Sequence, residues 1–552
     1  MKKIVLPLFL LLHAFVFAQK KPLDHSVYDL WQRISTKIIS NDGKWAAYVV
    51  SPQEGDGELI VQNLKTFEKI SVPRGTNPTI SEDNLFVVFK IQPLFKDTRQ
   101  AKIKKKKADD MPKDSLGILT LATKQITKIP RVKNYKMPEK EAGFVVYQLE
   151  KPLPDTTKKK KEETKKPDEK KKSDVADADD DPKTAGTATE EGTELVVRNL
   201  KTSAISSFKY VSEFAISKKN YKLLLVATGS KKDSTAKAGV FLLDMNKNLI
   251  DTLSKRKGGI YKQLTFDENG SQLAYVANFS KPKALQKFYN LYYFKTGTKD
   301  TIRLFVDTLT QGLPKKWTVS ENGGITFSQN GKRIFFGTCP FPMLSDTNLV
   351  DFELAKVDVW NYKDDYLQPW QLKNLDKDLK KSYLAMIETE SQKFVQIGDY
   401  QVDNINTAAE GNADIALGTS DAGNRVAMQW EGRSLESAYL IDIPSGTKKL
   451  IKANLDGDFR LSPQGNYILW YDLKAKNWFA YHNTTGKEIN LTKDIPVGFY
   501  DEENDIPDDP SSYGVMRWAE NDAFVYLYDR FDVWQIDPKG ILPAKNITQI
   551  GR

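Results

Sequence analysis

The chain has 552 residues, 40% of them hydrophobic, 11% aromatic and 28% charged, with a formal net charge of +10. This balance supplies a sizeable core and excludes a wholly disordered or collagen-like chain. The single cysteine, Cys339, excludes an intrachain disulfide. With only His13, His25 and His482 beside it, it also excludes a zinc finger or an iron–sulfur cluster built from this chain alone. No metal site and no cofactor are expected, and no Gly-rich phosphate loop ending in Lys-Ser/Thr follows any strand.

In chain order, Lys2 and Lys3 precede an apolar run over residues 4–18. At about 15 residues that run is too short to span a bilayer. With Val16 and Ala18 at the −3 and −1 positions, it reads as a signal peptide (1–18) cleaved before Gln19. The mature chain, 19–552, is therefore expected to be exported, periplasmic or extracellular, with no stable membrane insertion.

Two charged stretches read as disordered inserts within β units. Residues 96–115 carry eight basic and four acidic side chains, and residues 151–193 carry eleven Lys and twelve acids. Neither has the apolar surface to offset its ordering entropy. The basic charge is largely local to such segments, and no aromatic-plus-basic platform accompanies it, so no nucleic-acid partner is expected.

The rest of the chain repeats one pattern, a polar turn followed by short apolar strands. The turns are Ser40–Lys44, Ser81–Asn84, one at Ser217, Asp267–Gly270, Ser328–Gly331, Ser420–Gly423, Ser462–Gly465 and Glu520–Asp522. A degenerate unit spans residues 144–208, which makes nine units. Residues 338–397 read as one enlarged unit with a long excursion and outer strands at 383–388 and 393–397. The spacing from Ser40 to Ser81 and from Ser420 to Ser462, about 40 residues, is that of propeller blades. Ser, Asn, Asp and Gly suit such turns because they bond their own backbone or tolerate positive φ. The predicted fold is all-β, a β-propeller of about eight blades (seven to nine), over 19–552, with no catalytic domain in the chain.

Three segments carry a resemblance. They are Trp360-Asn361-Tyr362-Lys363-Asp364 with Gln368-Pro369 and Gln371; Phe499-Tyr500-Asp501-Glu502-Glu503-Asn504-Asp505-Ile506-Pro507; and Tyr526-Leu527-Tyr528-Asp529-Arg530-Phe531-Asp532-Val533-Trp534-Gln535-Ile536-Asp537-Pro538. Together with the Lys-rich insert that ends in Met111-Pro112-Lys113-Asp114, they resemble the propellers of secreted bacterial serine peptidases of the prolyl oligopeptidase and dipeptidyl-peptidase type. The resemblance runs over residues 26–552. It implies a hydrolase domain with a Ser-Asp-His triad in the full-length protein, and a propeller that gates and positions peptide substrate. It also implies carboxylates that take the substrate's amino terminus, for which Glu502 and Glu503 are the candidates.

The chain itself lacks the G-x-S-x-G elbow that exposes such a nucleophile. Gly418-Thr419-Ser420-Asp421-Ala422 and Gly432-Arg433-Ser434-Leu435-Glu436 each miss the second glycine. Ser420 is read as part of a repeat turn, His482 as part of a hairpin, and His25 as near the mature N-terminus. No catalytic residue is therefore assigned. The other reading is a stand-alone periplasmic propeller that binds a protein or peptide partner, like that of the Tol system.

Overall fold

A computed structural model describes residues 24–152 and 191–551, with short breaks within 231–234, at 257, 282–283 and 299–300, and within 345–356. The signal-peptide reading, and the disorder expected over most of 151–193, fall outside the described residues.

The described strands form eight antiparallel sheets. Seven are single meanders of four strands in sequence order, one of them with an extra two-residue strand. The eighth has seven strands, because two meanders share the long strand Ile205–Ile216. Tyr210, at φ 61°, breaks that strand in its middle. The meanders, numbered 1 to 9, cover residues 32–73, 75–129, 132–209, 210–254, 260–306, 317–396, 404–455, 457–490 and 515–546. They match the nine units read from the sequence.

The chain divides into two compact units, with meanders 1–3 in the first and 4–9 in the second. Within each unit the apolar cores lie between successive sheets. One core joins Val49, Leu59 and Val61 of meander 1 to Val87, Phe89 and Leu119 of meander 2. Another joins Leu417 and Ala438 of meander 7 to Ile468, Trp470 and Tyr481 of meander 8. The same arrangement recurs between meanders 2 and 3, 4 and 5, 5 and 6, 6 and 7, and 8 and 9. Inner strands such as Phe86–Ile91 and Tyr467–Asp472 are therefore buried on both faces, which is why their sequences show no polar alternation. Outer strands such as Leu249–Ser254 stay mostly exposed. Four-strand meanders stacked face to face are propeller blades, so the chain is all-β and of propeller type.

The turn motif has one recurring geometry. In five turns the first residue is Ser, and its Oγ accepts the N–H five residues on. The bonds are Trp45 to Ser40 (2.9 Å), Phe86 to Ser81 (3.0 Å), Lys222 to Ser217 (2.8 Å), Arg333 to Ser328 (3.0 Å) and Tyr467 to Ser462 (2.9 Å). Asp267 does the same for Gln272 at 2.8 Å. The fourth position is left-handed, with φ between 56° and 84°, and is filled by Gly43, Asn84, Asn220, Gly270, Gly331 and Gly465. Only Gly and Asn take that backbone cheaply.

Five of these junctions are also bonded from one turn to the next within a unit. Asn41 N–H donates to Asn84 (3.1 Å), Asn220 to the Asn269 carbonyl (2.6 Å), and Gln272 to the Gly331 carbonyl (3.1 Å). Asn330 N–H donates to Asn412 (2.9 Å), and the Ser462 hydroxyl to Asp522 (2.6 Å).

Two expectations are corrected. Ser420–Gly423 is not a repeat turn, because Ser420 ends the second strand of its meander, Ile415–Ser420. The turn of that meander is residues 408–414. There Ala409 and Glu410 adopt positive φ, and the neighbouring meander holds them by Ala409 N–H to the Pro463 carbonyl (2.7 Å). Residues 96–115 are not a structureless loop. They contain helix α1 (Phe95–Ile103) and a 3-10 turn, Ala108–Asp110. Asp56 of meander 1 accepts the Phe95 N–H at 2.8 Å, and Ala101 is buried, so a neighbouring loop supplies the cap that the local sequence lacks.

Candidate functional site

An up-and-down meander puts its first-to-second and third-to-fourth turns at one end of the sheet and its second-to-third connection at the other. In the second unit the long connections occupy that second end. Residues 341–382, the excursion of meander 6, carry helix α2 (Gln368–Leu379). Residues 421–435 of meander 7 carry the short helix α3 (Met428–Glu431). The connection from meander 8 to meander 9 spans residues 491–514.

Arginines stitch these loops together. The Asp365 carboxylate accepts Gly423 N–H (2.7 Å) and Arg425 N–H (3.2 Å), which ties the excursion to meander 7. The Arg425 guanidinium bonds Asp421 at 2.6 Å and lies 4.9 Å from the Tyr366 ring centre. Tyr366 stacks flat on Trp370, with ring centres 3.7 Å apart. Burial disfavours the Arg425 charge, but Asp421 and Asp365 outweigh it and raise the guanidinium above its usual range.

Arg433 forms a second node. It holds both oxygens of Asp508 (2.6 and 2.8 Å) and one of Asp456 (2.7 Å), a forked geometry that Lys could not supply. The hydrogen bonds from Arg433 hold Asp508 below the usual carboxylate range. Burial pushes Asp456 up, Arg433 opposes that, and Asp508 and Asp509 add to it. Glu436 is raised by burial and by Asp421 and Asp458. This end of the second unit is thus a surface where carboxylates outnumber the arginines that hold them.

The candidate substrate-binding pair lies in this region. Glu503 is exposed and its carboxylate is ion-paired with Arg530. Glu502 is also exposed, and its N–H donates to the Tyr513 hydroxyl at 3.0 Å. The three segments behind the family resemblance are far apart in sequence. The second and third meet through the Glu503–Arg530 ion pair, while the first lies in the excursion of meander 6, where Gln371 bonds Asp364 (3.2 Å) and the neighbouring Asp365 reaches meander 7.

Among the described residues, Ser420 and Ser434 are not paired with His25 or His482. Ser434 Oγ donates to Asp421 at 3.3 Å, and Ser420 Oγ accepts Ala422 N–H at 3.3 Å. His482 ends the third strand of meander 8, Asn477–His482, so it lies at the turn end of its sheet, opposite the loop end that carries both serines. A six-residue strand separates those ends by roughly 20 Å. His482 Nδ1 accepts the Thr484 and Thr485 N–H groups (3.2 and 3.3 Å). The His25 ring lies tilted beside Tyr28, with ring centres 5.2 Å apart, in the first unit.

Sequence reasoning missed Asp365, Arg425, Arg433 and Asp456. Their partners are recruited across loops, at separations of up to 75 residues, and no local motif marks them.

Sheet topology and the intersheet cores define a protein of the β-propeller class. No family model matches the chain, and no curated protein is significantly similar to it. Among solved structures it is similar to a eukaryotic initiation factor, at 12% identity and a TM-score of 0.40, over 83% of this chain and 88% of that one. It is also similar to the β-propeller domain of the Trilobed protease from Pyrococcus furiosus, at 10% identity and a TM-score of 0.30, over 77% and 97%. A third is dipeptidyl peptidase 4 of Porphyromonas gingivalis, at 14% identity and a TM-score of 0.32, over 65% and 50%. The match thus takes in half the length of that last peptidase, while it takes in nearly all of the isolated propeller domain.

Proposed function

We propose that the chain is the substrate-gating and positioning propeller of an exported serine peptidase of the prolyl oligopeptidase type. Bond cleavage would fall to a hydrolase domain outside this chain. Its own contribution is to restrict entry and hold an extended peptide, which lowers the entropic cost of reaching the transition state without bond chemistry. Glu502 and Glu503 would take the peptide's protonated amino terminus, since a pair of carboxylates offers charge and several acceptors at once. The observation that carries this reading is the Glu503–Arg530 ion pair between two of the family-like segments, on loops that Arg433 and Arg425 tie to the excursion holding the third.

The test is binding of a fluorescent unstructured peptide with a free α-amine, compared with its N-acetylated form. The free amine is expected to bind about tenfold more tightly, and Glu502→Gln with Glu503→Gln to remove that difference. Equal binding of both peptides contradicts the amine-recognition role. Binding of a folded protein with no preference for chain ends favours the stand-alone periplasmic propeller.

A further inference from the structure

The outermost strand of meander 8 is short, Glu488–Asn490, and lies at the edge of its sheet. Its pairing alternates, as in any antiparallel ladder. His482 N–H donates to the Lys487 carbonyl (2.9 Å), and Leu491 N–H to the Trp478 carbonyl (2.8 Å), so residues 487, 489 and 491 face inward to their neighbour strand. The backbone N–H and C=O groups of Glu488 and Asn490 therefore point outward. Among the described residues no hydrogen-bond partner occupies them.

These groups do not open onto a flat surface. The strand that carries them, with Lys487 and Leu491, lines one side of a cleft of about 680 Å³, whose other wall is meander 9. That wall contains Trp534, Ile536, Ile541 and Leu542. Ile541 is 76% exposed and Leu542 57% exposed, so the wall offers apolar surface that the fold leaves uncovered. Gly540 brings the wall close: a side chain there would come within 2.8 Å of Ile489. A volume of this size is in the range of ligand clefts.

An edge with two outward donors and two outward acceptors at two-residue spacing matches one kind of ligand, another extended backbone. Facing it is an apolar wall that fits alternate side chains of such a strand. The charges beside the edge are mixed, with Lys487 and Lys493 against Glu488 and Asp494, so neither an acidic nor a basic sequence is favoured. We propose that this cleft binds an extended peptide segment as an added strand on Glu488–Asn490, read through its backbone and through apolar side chains on one face. This goes beyond the peptidase reading and does not depend on it.

The test uses the pentapeptide acetyl-Thr-Val-Thr-Val-Thr-amide as probe and amide hydrogen exchange of the purified chain as readout. Saturating peptide is expected to slow exchange at Glu488 and Asn490 by at least about tenfold. Two N-methylated forms, one methylated at both valines and one at the three threonines, separate strand addition from apolar contact. One of them must lose at least about tenfold in affinity, because only alternate amides face the edge. Glu488→Pro removes one outward donor at a place where an edge strand tolerates proline, and should abolish the protection at Asn490. Leu542→Asp, on the exposed wall, should weaken binding at least about threefold while leaving the fold intact. The proposal is overturned if both methylated peptides bind like the parent, if neither edge amide is protected at millimolar peptide, or if Leu542→Asp and Glu488→Pro both bind normally.

Discussion

At the residue scale, two buried aspartates show how the polar turns do their work. Asp522 is 2% exposed and accepts the Ser462 hydroxyl, the Gln464 and Asn466 N–H groups and the Asn466 side chain. It thus fastens the last meander to the one before it. Asp522→Ala would leave several buried donors without an acceptor, so a loss of about 3 kcal/mol is expected in urea unfolding. Asp532 fastens the C-terminal segment. The Thr548 hydroxyl and the Asn546 amide, followed by the Gly551 and Ile550 N–H groups, hold its carboxyl down at about 2. The folded value lies below the ordinary one near 3.8, so this stabilisation is complete above pH 4 and is lost as pH falls toward 2. Protection of the amides at 548–551, taken relative to their intrinsic exchange at each pH, should fall across that window in the wild type. In Asp532→Asn that protection should be low already at neutral pH and nearly flat below it. A wild-type profile without that acid limb would contradict the assignment.

At the element scale, the loops are held by their neighbours more than by their own sequence. Helix α1 begins on Asp56 of the adjacent meander, so Asp56→Ala should cost about 1 kcal/mol and raise proteolysis within 95–110. The excursion 341–382 hangs on Asp365 and Arg425 in the same way. Arg425→Ala should expose it to cleavage at least about tenfold faster, because a partly buried arginine with two carboxylate partners is lost. The thermal transition of the sheets should barely move, and a shift of the whole transition would show that Arg425 supports the core instead. Both elements also mark where sequence reading fails. The 96–115 stretch was legible as charged and polar, but its cap lies 39 residues upstream. The turn at 408–414 lacks the leading Ser because neighbouring loops hold its strained backbone. The Ser-Asp-Ala-Gly of 420–423 has the right composition at the wrong end of a strand. Where the turn chemistry is local, as at Ser40, Ser81, Ser217, Asp267, Ser328 and Ser462, the sequence shows it plainly.

At the scale of the whole molecule, the repeat was legible because each meander meets the same physical demand. Its inner strands are buried on both faces, and its first turn must bond both itself and the next turn. Nine meanders among the described residues follow from that demand. The loop end was legible only as three separated family-like segments. Its arginine nodes come from tertiary contact, and Glu503 proves to be paired with Arg530. The chemistry divides along the same lines: Ser420 and Ser434 sit among the loops beside Asp421, and His482 sits among the turns at the other end of its sheet.

The most direct test of the central claim, a positioning propeller without its own nucleophile, is to treat purified residues 19–552 with a serine-directed fluorophosphonate probe while assaying dipeptidyl and prolyl chromogenic peptides. No labelled serine and no turnover are expected, with Ser420→Ala and Ser434→Ala indistinguishable from the wild type. Labelling of either serine, together with turnover that its alanine variant abolishes, would contradict it.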